Sequence, residues 1–126
     1  MTDSVARLYD AVIAVRSADP AKSRTARLLR AGRAKMAKKL AEEAVEVVID
    51  AMHGQPEAVI RESADLLYNL VVLWVHAGVH PDEVWAEMHR REQLFGIAEK
   101  LPKDMVQGVS RRRVVALDTR RARKRR

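Results

Sequence analysis

The chain has 126 residues, the usual length of one domain, and 48% of them are hydrophobic, which is enough for one packed core. The absence of cysteine excludes disulfides, thiolate nucleophiles and cysteine-bound metal sites, so any metal must bind oxygen or imidazole. Nine of the 24 basic residues and one of the 17 acidic residues lie in 111–126. The net charge of +7 therefore comes from this C-terminal segment, and the body of the protein is not expected to bind polyanions by bulk charge.

No targeting or membrane segment is expected. The longest wholly apolar run, 70–75, is far shorter than the roughly 20 residues of a membrane-spanning helix. The N-terminus contains Asp3 and Asp10 and has no basic stretch followed by an apolar one, as a signal peptide would. We therefore expect a cytoplasmic protein without membrane contact.

Glycine and proline occur at intervals typical of breaks between helices. Apolar spacing predicts a first helix that starts behind Asp3 or Ser4 and ends before Asp19, then a short helix over 25–31 and a long helix over about 33–52. On the long helix, apolar residues at every fourth position predict a buried stripe: Met36, Leu40, Ala44, Val48 and Met52.

A second long helix is predicted from Pro56 or Glu57 to about Ala77, because proline suits a first helical turn and Gly78 ends the pattern. Its central part is so apolar that it must be covered on several sides, and we expect a homodimer in which this helix is central. A further helix begins at 80–83 and is expected to direct three side chains inward: Val84, Trp85 and Met88.

No strand-like alternation precedes residue 103, so the predicted fold class is all-α. We expect one helical domain over 1–103 and a basic, flexible extension over 104–126. Residues 111–126 have a net charge of +8 and no aromatic side chain for base stacking. They predict weak, nonspecific nucleic-acid contact at most.

The candidate catalytic residues lie in two acidic patches. Glu42, Glu43 and Glu46 share a face of the first long helix, and Glu62 and Asp65 share a face of the second. Only about four residues connect the two helices, so we expect an antiparallel hairpin that brings both patches to a similar height.

Carboxylates that converge in this way repel one another unless a divalent cation binds them. Mg²⁺ suits the arrangement, because it takes carboxylate oxygens together with water and substrate phosphates. The alternative for the first patch alone is a solvated face paired with Lys38 and Lys39. The second patch favours the metal site, because Glu62 and Asp65 lead directly into the most apolar helix.

The segment between Pro20 and Ala41 contains basic residues and no acid. Phosphates are natural ligands for such a segment, although many of its side chains will be solvated. Four residues in this segment are candidate substrate ligands: Lys22, Ser23, Thr25 and Lys39.

The E-E-x-x-E and E-x-x-D motifs resemble the signature of the MazG-type all-α nucleotide pyrophosphohydrolases. Within that superfamily, three stretches are similar to the phosphoribosyl-ATP pyrophosphohydrolases of histidine biosynthesis: LYDAVIAVRSADPAKSRTARLLRAG, KKLAEEAVEVVIDA and ESADLLYNLVVL. The resemblance covers about residues 5–92.

The resemblance implies a homodimeric MazG-like bundle, with two long antiparallel helices at its centre, that hydrolyses phosphoribosyl-ATP to phosphoribosyl-AMP and pyrophosphate with Mg²⁺. It implies that Ser23, Thr25, Lys39 and Asn69 contact the nucleotide substrate. It further implies a metal and water-activating set, of which Glu43, Glu46 and Asp65 are catalytic: Glu42, Glu43, Glu46, Glu62 and Asp65.

Two positions depart from the family pattern. Ala41 replaces the usual glycine before the acidic pair, and Asn69 replaces the usual histidine after D-L-L-Y. Both are expected near the site, where they would alter substrate fit. A related pyrophosphohydrolase for another nucleoside triphosphate therefore remains an alternative, and so does a non-catalytic helical protein that binds nucleic acid through 111–126.

Overall fold

The computed structural model describes residues 3–95, and these form helices without any strand. The predicted all-α class is therefore confirmed for this range. The predicted domain boundary at 103–104 and the basic segment 111–126 lie outside the described residues. The helices are α1 (Ser4–Val15), α2 (Arg24–Ala31), α3 (Arg33–Met52), α4 (Pro56–Ala77) and α5 (Pro81–Phe95).

The helix boundaries follow from local capping. Asp3 caps α1, where its Oδ1 accepts a hydrogen bond from the Ala6 N–H at 2.7 Å. α4 has Pro56 in its first turn and ends at Gly78, whose φ of +76° lies in the left-handed region that favours glycine. The predicted starts and ends of the helices are thus close to the observed ones.

α3 and α4 form the predicted hairpin and share the most extensive helix–helix contact among the described residues. Only residues 53–55 separate the two helices. The turn is closed by hydrogen bonds from the His53 N–H to the Ile49 carbonyl and from the Gln55 N–H to the Asp50 carbonyl. A connection this short constrains the helices to pack side by side in opposite directions.

The core lies where α1 and α3 pack against the second half of α4. Val12, Met36, Val71 and Val72 are each at most 2% exposed and form one apolar cluster. Leu28 of α2 and other half-buried apolar residues pack around it. α1, α2 and α3 thus all pack against the apolar part of α4, whose composition requires that it be covered on several sides.

The predicted buried stripe on α3 is only partly correct. Met36 is 1% exposed, whereas Val48 is 59% and Met52 is 80% exposed. Four helical residues turn about 400°, so a strict four-residue repeat drifts by about 40° at each step and leaves the buried face. Met88 on α5, expected to point inward, is also 40% exposed.

Residues up to Val84 form one compact unit, and the described residues from Trp85 onward belong to a second. Within the second unit, Arg90 and Arg91 donate hydrogen bonds to the Glu87 carboxylate. These hydrogen bonds lower the pKa of Glu87 to about 2. No helix within residues 3–95 has the length and apolarity needed to cross a bilayer.

The core position of Met36 yields a stability test. Met36→Ala should lower the free energy of unfolding by about 2–4 kcal/mol, because it leaves a cavity between α1, α3 and α4. Leu94→Ala truncates an apolar side chain on α5 that is 54% exposed and should cost less than about 1 kcal/mol. Urea denaturation of both variants measures the difference, and equal losses would contradict this location of the core.

Candidate metal centre and substrate groove

Three carboxylates meet across the α3–α4 hairpin. Glu43 lies on α3, and Glu62 and Asp65 lie one turn apart on α4. One carboxylate oxygen from each lies within 4.8 Å of the other two. Glu43 and Glu62 are half-buried, and Asp65 is exposed. The predicted convergence of the two acidic patches is therefore present for these three residues, and the group has the ligand chemistry of a divalent cation site.

The electrostatics of the group are unfavourable without a cation. A hydrogen-bonding contact with Glu43 is the largest of several causes that raise the pKa of Glu62 to about 7. Partial burial and the nearby Glu46 carboxylate also raise it. A proton shared at Glu62 thus relieves part of the repulsion near neutral pH.

The two oxygens of Glu43 have different surroundings. Oε2 lies 3.7 Å from the Lys39 Nζ. Oε1 is buried and accepts no hydrogen bond from any described residue. A buried carboxylate oxygen without a donor is costly, and a bound cation would satisfy it.

The other two predicted metal ligands differ in position. The Glu46 carboxylate helps to raise the pKa of Glu62, so Glu46 extends the acidic group along α3. Glu42 is exposed and does not belong to the three-carboxylate group. Glu42 and Glu46 lie four residues apart on one face of α3. Of the adjacent residues Glu42 and Glu43, it is Glu43 that lies close enough to α4 to join the group.

A groove of about 630 Å³ opens beside the carboxylates. It is bordered by α2, α3 and α4. On α3, Lys35, Lys39 and Glu43 follow one another at four-residue intervals, so positive charge gives way to negative charge along the groove. Its lining residues are Arg24, Arg27, Leu28, Ala31, Lys35, Lys39, Glu43, Asp65, Tyr68 and Asn69.

The substrate residues predicted before α3 have varied surroundings. Ser23 caps α2, where its Oγ accepts a hydrogen bond from the Ala26 N–H at 3.1 Å. The Thr25 Oγ1 is hydrogen-bonded at 2.6 Å to the hydroxyl of Tyr68 on α4. Lys22 is exposed and does not line the groove. Ser23 and Thr25 therefore have clear roles in placing α2.

Asn69 lines the groove and is only 4% exposed. Its Nδ2 donates a hydrogen bond to the Asp65 carbonyl oxygen at 2.9 Å. Its Oδ1 is buried and has no donor among the described residues. The amide is therefore oriented by the backbone of α4 and presents an unsatisfied acceptor.

Three groove cations were not selected from the sequence as site residues: Arg24, Arg27 and Lys35. The signal was present in the spacing. Arg24, Arg27 and Leu28 lie three and four residues apart, and Lys35 lies four residues before Lys39, so each set shares a helical face. What the sequence did not reveal is that these two faces border the same groove.

The sequence model of the phosphoribosyl-ATP pyrophosphohydrolase family matches residues 5–92. The chain belongs to this family. The matched range contains all five acidic positions and the whole groove lining. The resemblance drawn from the motifs is thus confirmed, and with it the prediction of a pyrophosphohydrolase.

Curated relatives agree with the family. Phosphoribosyl-ATP pyrophosphatase 2 of Rhodopseudomonas palustris is 71% identical over 106 residues, which cover 84% of this chain and 81% of the relative. Phosphoribosyl-ATP pyrophosphatase 2 of Bradyrhizobium diazoefficiens is 61% identical, with 99% of both chains covered. Phosphoribosyl-ATP pyrophosphatase of Gluconobacter oxydans is 54% identical over 94 residues, which cover 75% of this chain and 71% of the relative.

The raised pKa of Glu62 predicts the pH dependence of the metal-free protein. The folded state holds this proton up to about pH 7, whereas the unfolded chain releases it near the ordinary value of 4.5. The stabilising contribution is complete below pH 4.5 and is lost as the pH rises through about 7. Glu62→Gln removes the titrating group. The melting temperature of this variant minus that of wild type should therefore be larger at pH 8 than at pH 5.

Calorimetry in EDTA at constant ionic strength measures this difference. Glu57→Gln is a matched control, because Glu57 is an exposed carboxylate in the first turn of the same helix. Its pH profile should parallel that of wild type. If the Glu62→Gln and wild-type profiles are parallel, the proton does not reside in this group.

Proposed function

We propose that the protein hydrolyses phosphoribosyl-ATP to phosphoribosyl-AMP and pyrophosphate in a Mg²⁺-dependent reaction, as a step of histidine biosynthesis. The observation that supports this most directly is the carboxylate group of Glu43, Glu62 and Asp65 at one side of a groove with cationic residues. Family membership and the names of the relatives support the substrate.

Glu43, Glu62 and Asp65 would hold the metal. The donor set suits Mg²⁺, which prefers carboxylate oxygens and leaves positions for water and phosphate. The buried Oε1 of Glu43, which accepts no hydrogen bond from a described residue, further supports a cation here. When bound, Mg²⁺ supplies charge neutralisation for the triphosphate and orients it for attack. Glu42 completes the proposed set from its exposed position on α3.

Glu46 is the proposed general base. It lies close enough to act on Glu62 but outside the three-carboxylate group, so its own oxygens are available for proton transfer. A water molecule attacks the α-phosphorus and gives one proton to Glu46. The bond from the α-phosphorus to the oxygen that bridges to the β-phosphorus breaks, and pyrophosphate leaves with this oxygen.

The groove residues would orient the nucleotide. Lys39 lies between the carboxylates and the cationic part of α3, where its ammonium suits a phosphate oxygen. The unsatisfied Oδ1 of Asn69 would accept a hydrogen bond from an N–H or O–H of the substrate. Three further residues are proposed to contact a part of the substrate that extends beyond the groove lining, at and just before the start of α2: Lys22, Ser23 and Thr25.

Two substitutions separate the proposed roles. Asp65→Asn should weaken Mg²⁺ binding and reduce pyrophosphate release by about a hundredfold or more, because it removes a metal ligand. Glu46→Gln should reduce kcat by about a hundredfold or more while Mg²⁺ affinity stays within about twofold of wild type, because it removes the base. Both variants should retain a helical circular dichroism spectrum.

Pyrophosphate release is measured from phosphoribosyl-ATP and from a panel of ordinary and modified nucleoside triphosphates, with Mg²⁺ and after its removal by EDTA. Glu57→Gln, outside the site on α4, is the control and should retain activity. Full activity of Asp65→Asn would refute the metal centre, and full activity of Glu46→Gln would refute the assignment of the base. Faster pyrophosphate release from another triphosphate would support the proposed reaction but would identify a different substrate.

We further propose that the active protein is a homodimer. α3 exposes an apolar stripe at positions i, i+3, i+4 and i+7, and α4 exposes two apolar residues seven positions apart. A surface of this extent on the central hairpin is typical of a protein interface and unusual for a monomer. A second copy is the proposed occupant, because the stripe carries no charge that would select another partner. Its residues are Val45, Val48, Ile49, Met52, Ile60 and Leu67.

Val48→Glu tests the dimer. Val48 lies within the α3 stripe and is 59% exposed, so the substitution does not disturb the core of one protomer. Light scattering after gel filtration should show a monomer. A dimer of this variant would bury one introduced carboxylate from each protomer in the interface without a partner, which is unfavourable. Ala37→Glu, on the exposed side of the first half of α3, should remain dimeric. A monomeric wild type would refute the proposal.

Weak, nonspecific nucleic-acid contact is proposed for residues 111–126, from their net charge of +8. A cytoplasmic location is proposed as well, since the reaction consumes a soluble nucleotide.

A further inference from the structure

Three cations line the groove in addition to Lys39. Arg24 and Arg27 lie three residues apart on α2, and Lys35 lies in the first turn of α3. None of the three forms an ion pair with a carboxylate of residues 3–95, whereas Lys39 is paired with Glu43. The groove therefore has uncompensated positive charge on one part of its lining.

Arg27 is held in place by the protein backbone. Its guanidinium donates a hydrogen bond to the Pro20 carbonyl oxygen at 2.7 Å, in the segment that precedes α2. This bond uses one of five N–H donors and does not neutralise the charge. Arg27 is thus oriented before any ligand binds and retains the donors that an anion requires.

Lys35 is separated from the proposed metal ligand Glu43 along α3. Lys35 and Glu43 lie eight residues apart, which corresponds to about 12 Å along a helix axis. The paired Lys39 lies between them. This arrangement suits a substrate with two separate anionic groups. A polyphosphate bound through the metal would lie beside the carboxylates, and the second anionic group would lie beside the unpaired cations.

We propose that Arg24, Arg27 and Lys35 form a phosphomonoester subsite that binds the terminal phosphate of the phosphoribosyl group and so distinguishes phosphoribosyl-ATP from ATP. The inference rests on the proposed function and assigns the specificity of the same groove. ATP carries no such phosphate, so these contacts favour one nucleotide over the other. Charge-assisted hydrogen bonds to phosphate are among the stronger polar contacts, and arginine matches the geometry of phosphate oxygens.

The competing role for these cations is to bind the leaving pyrophosphate. The two roles predict different effects of the same substitutions. A phosphomonoester subsite affects binding of ribose 5-phosphate and leaves that of pyrophosphate with Mg²⁺ unchanged. A pyrophosphate site affects binding of pyrophosphate at least as strongly.

The test compares two double variants with equal loss of charge. Arg27→Gln with Lys35→Gln alters the groove, and Arg30→Gln with Lys38→Gln alters exposed positions on the same helices that do not line it. Ribose 5-phosphate is titrated into each metal-free protein and followed by NMR chemical shifts, with ribose as the uncharged comparison. Pyrophosphate with Mg²⁺ is titrated separately. Circular dichroism verifies that both variants are helical.

The groove variant should bind ribose 5-phosphate about tenfold or more weakly than wild type, which is about 1.4 kcal/mol. The control variant should remain within about twofold, and pyrophosphate affinity should remain within about twofold in both. Equal losses in the two variants, an equal loss for pyrophosphate, or no saturable binding of ribose 5-phosphate to wild type at about 10 mM would overturn the subsite.

The titration involves no turnover, so its result is independent of the proposed reaction. If wild type releases no pyrophosphate from phosphoribosyl-ATP but binds ribose 5-phosphate through these cations, the reaction is refuted and the subsite is retained. If it hydrolyses phosphoribosyl-ATP while the groove variant binds ribose 5-phosphate normally, the subsite is refuted and the reaction is retained.

Discussion

The approach of Glu43, Glu62 and Asp65 across one hairpin is the constraint on which the arrangement depends. Like charges this close oppose the packing of α3 on α4. The hydrogen-bonding contact with Glu43, partial burial and the nearby negative charges together raise the pKa of Glu62 to about 7. The apolar contacts of Met36 and its neighbours, together with the three-residue turn, keep the two helices together in spite of it. The protein thus keeps three carboxylates together at the expense of local stability, as functional sites often do.

α2 adds the other half of the groove, and its position depends on tertiary contacts. A helix of eight residues is not stable alone in water. It is fixed by the Ser23 cap, by the fully buried Ala26, and by the hydrogen bond between Thr25 and Tyr68. That hydrogen bond joins the helix that carries Arg24 and Arg27 to the helix that carries two of the carboxylates. The width of the groove therefore depends on a contact between residues 43 positions apart in sequence.

Much of this could be read from the sequence, because its signals are local. Asp3, Gly78 and Pro56 mark helix ends by backbone chemistry, and the short turn aligns Glu43 with Glu62 and Asp65 before any packing is known. Features set by helix rotation were not predictable in this way. The four-residue repeat could not indicate that the α3 stripe turns outward, nor that Glu43 and not Glu42 would meet α4. The bond from Thr25 to Tyr68 required the tertiary fold.

Asn69 shows how one departure from a family pattern changes the chemistry of the groove. The family resemblance expects histidine here, a side chain that gains charge below about pH 6.5. The asparagine amide is neutral at all pH values, and its hydrogen bond to the Asp65 carbonyl fixes Oδ1 as an acceptor. Position 69 therefore keeps one hydrogen-bonding character near neutral pH, whereas the neighbouring carboxylate group changes its charge through Glu62, whose pKa is raised to about 7. A substrate donor placed opposite Oδ1 would be recognised equally well on both sides of pH 6.5, because no proton is gained or lost at this contact.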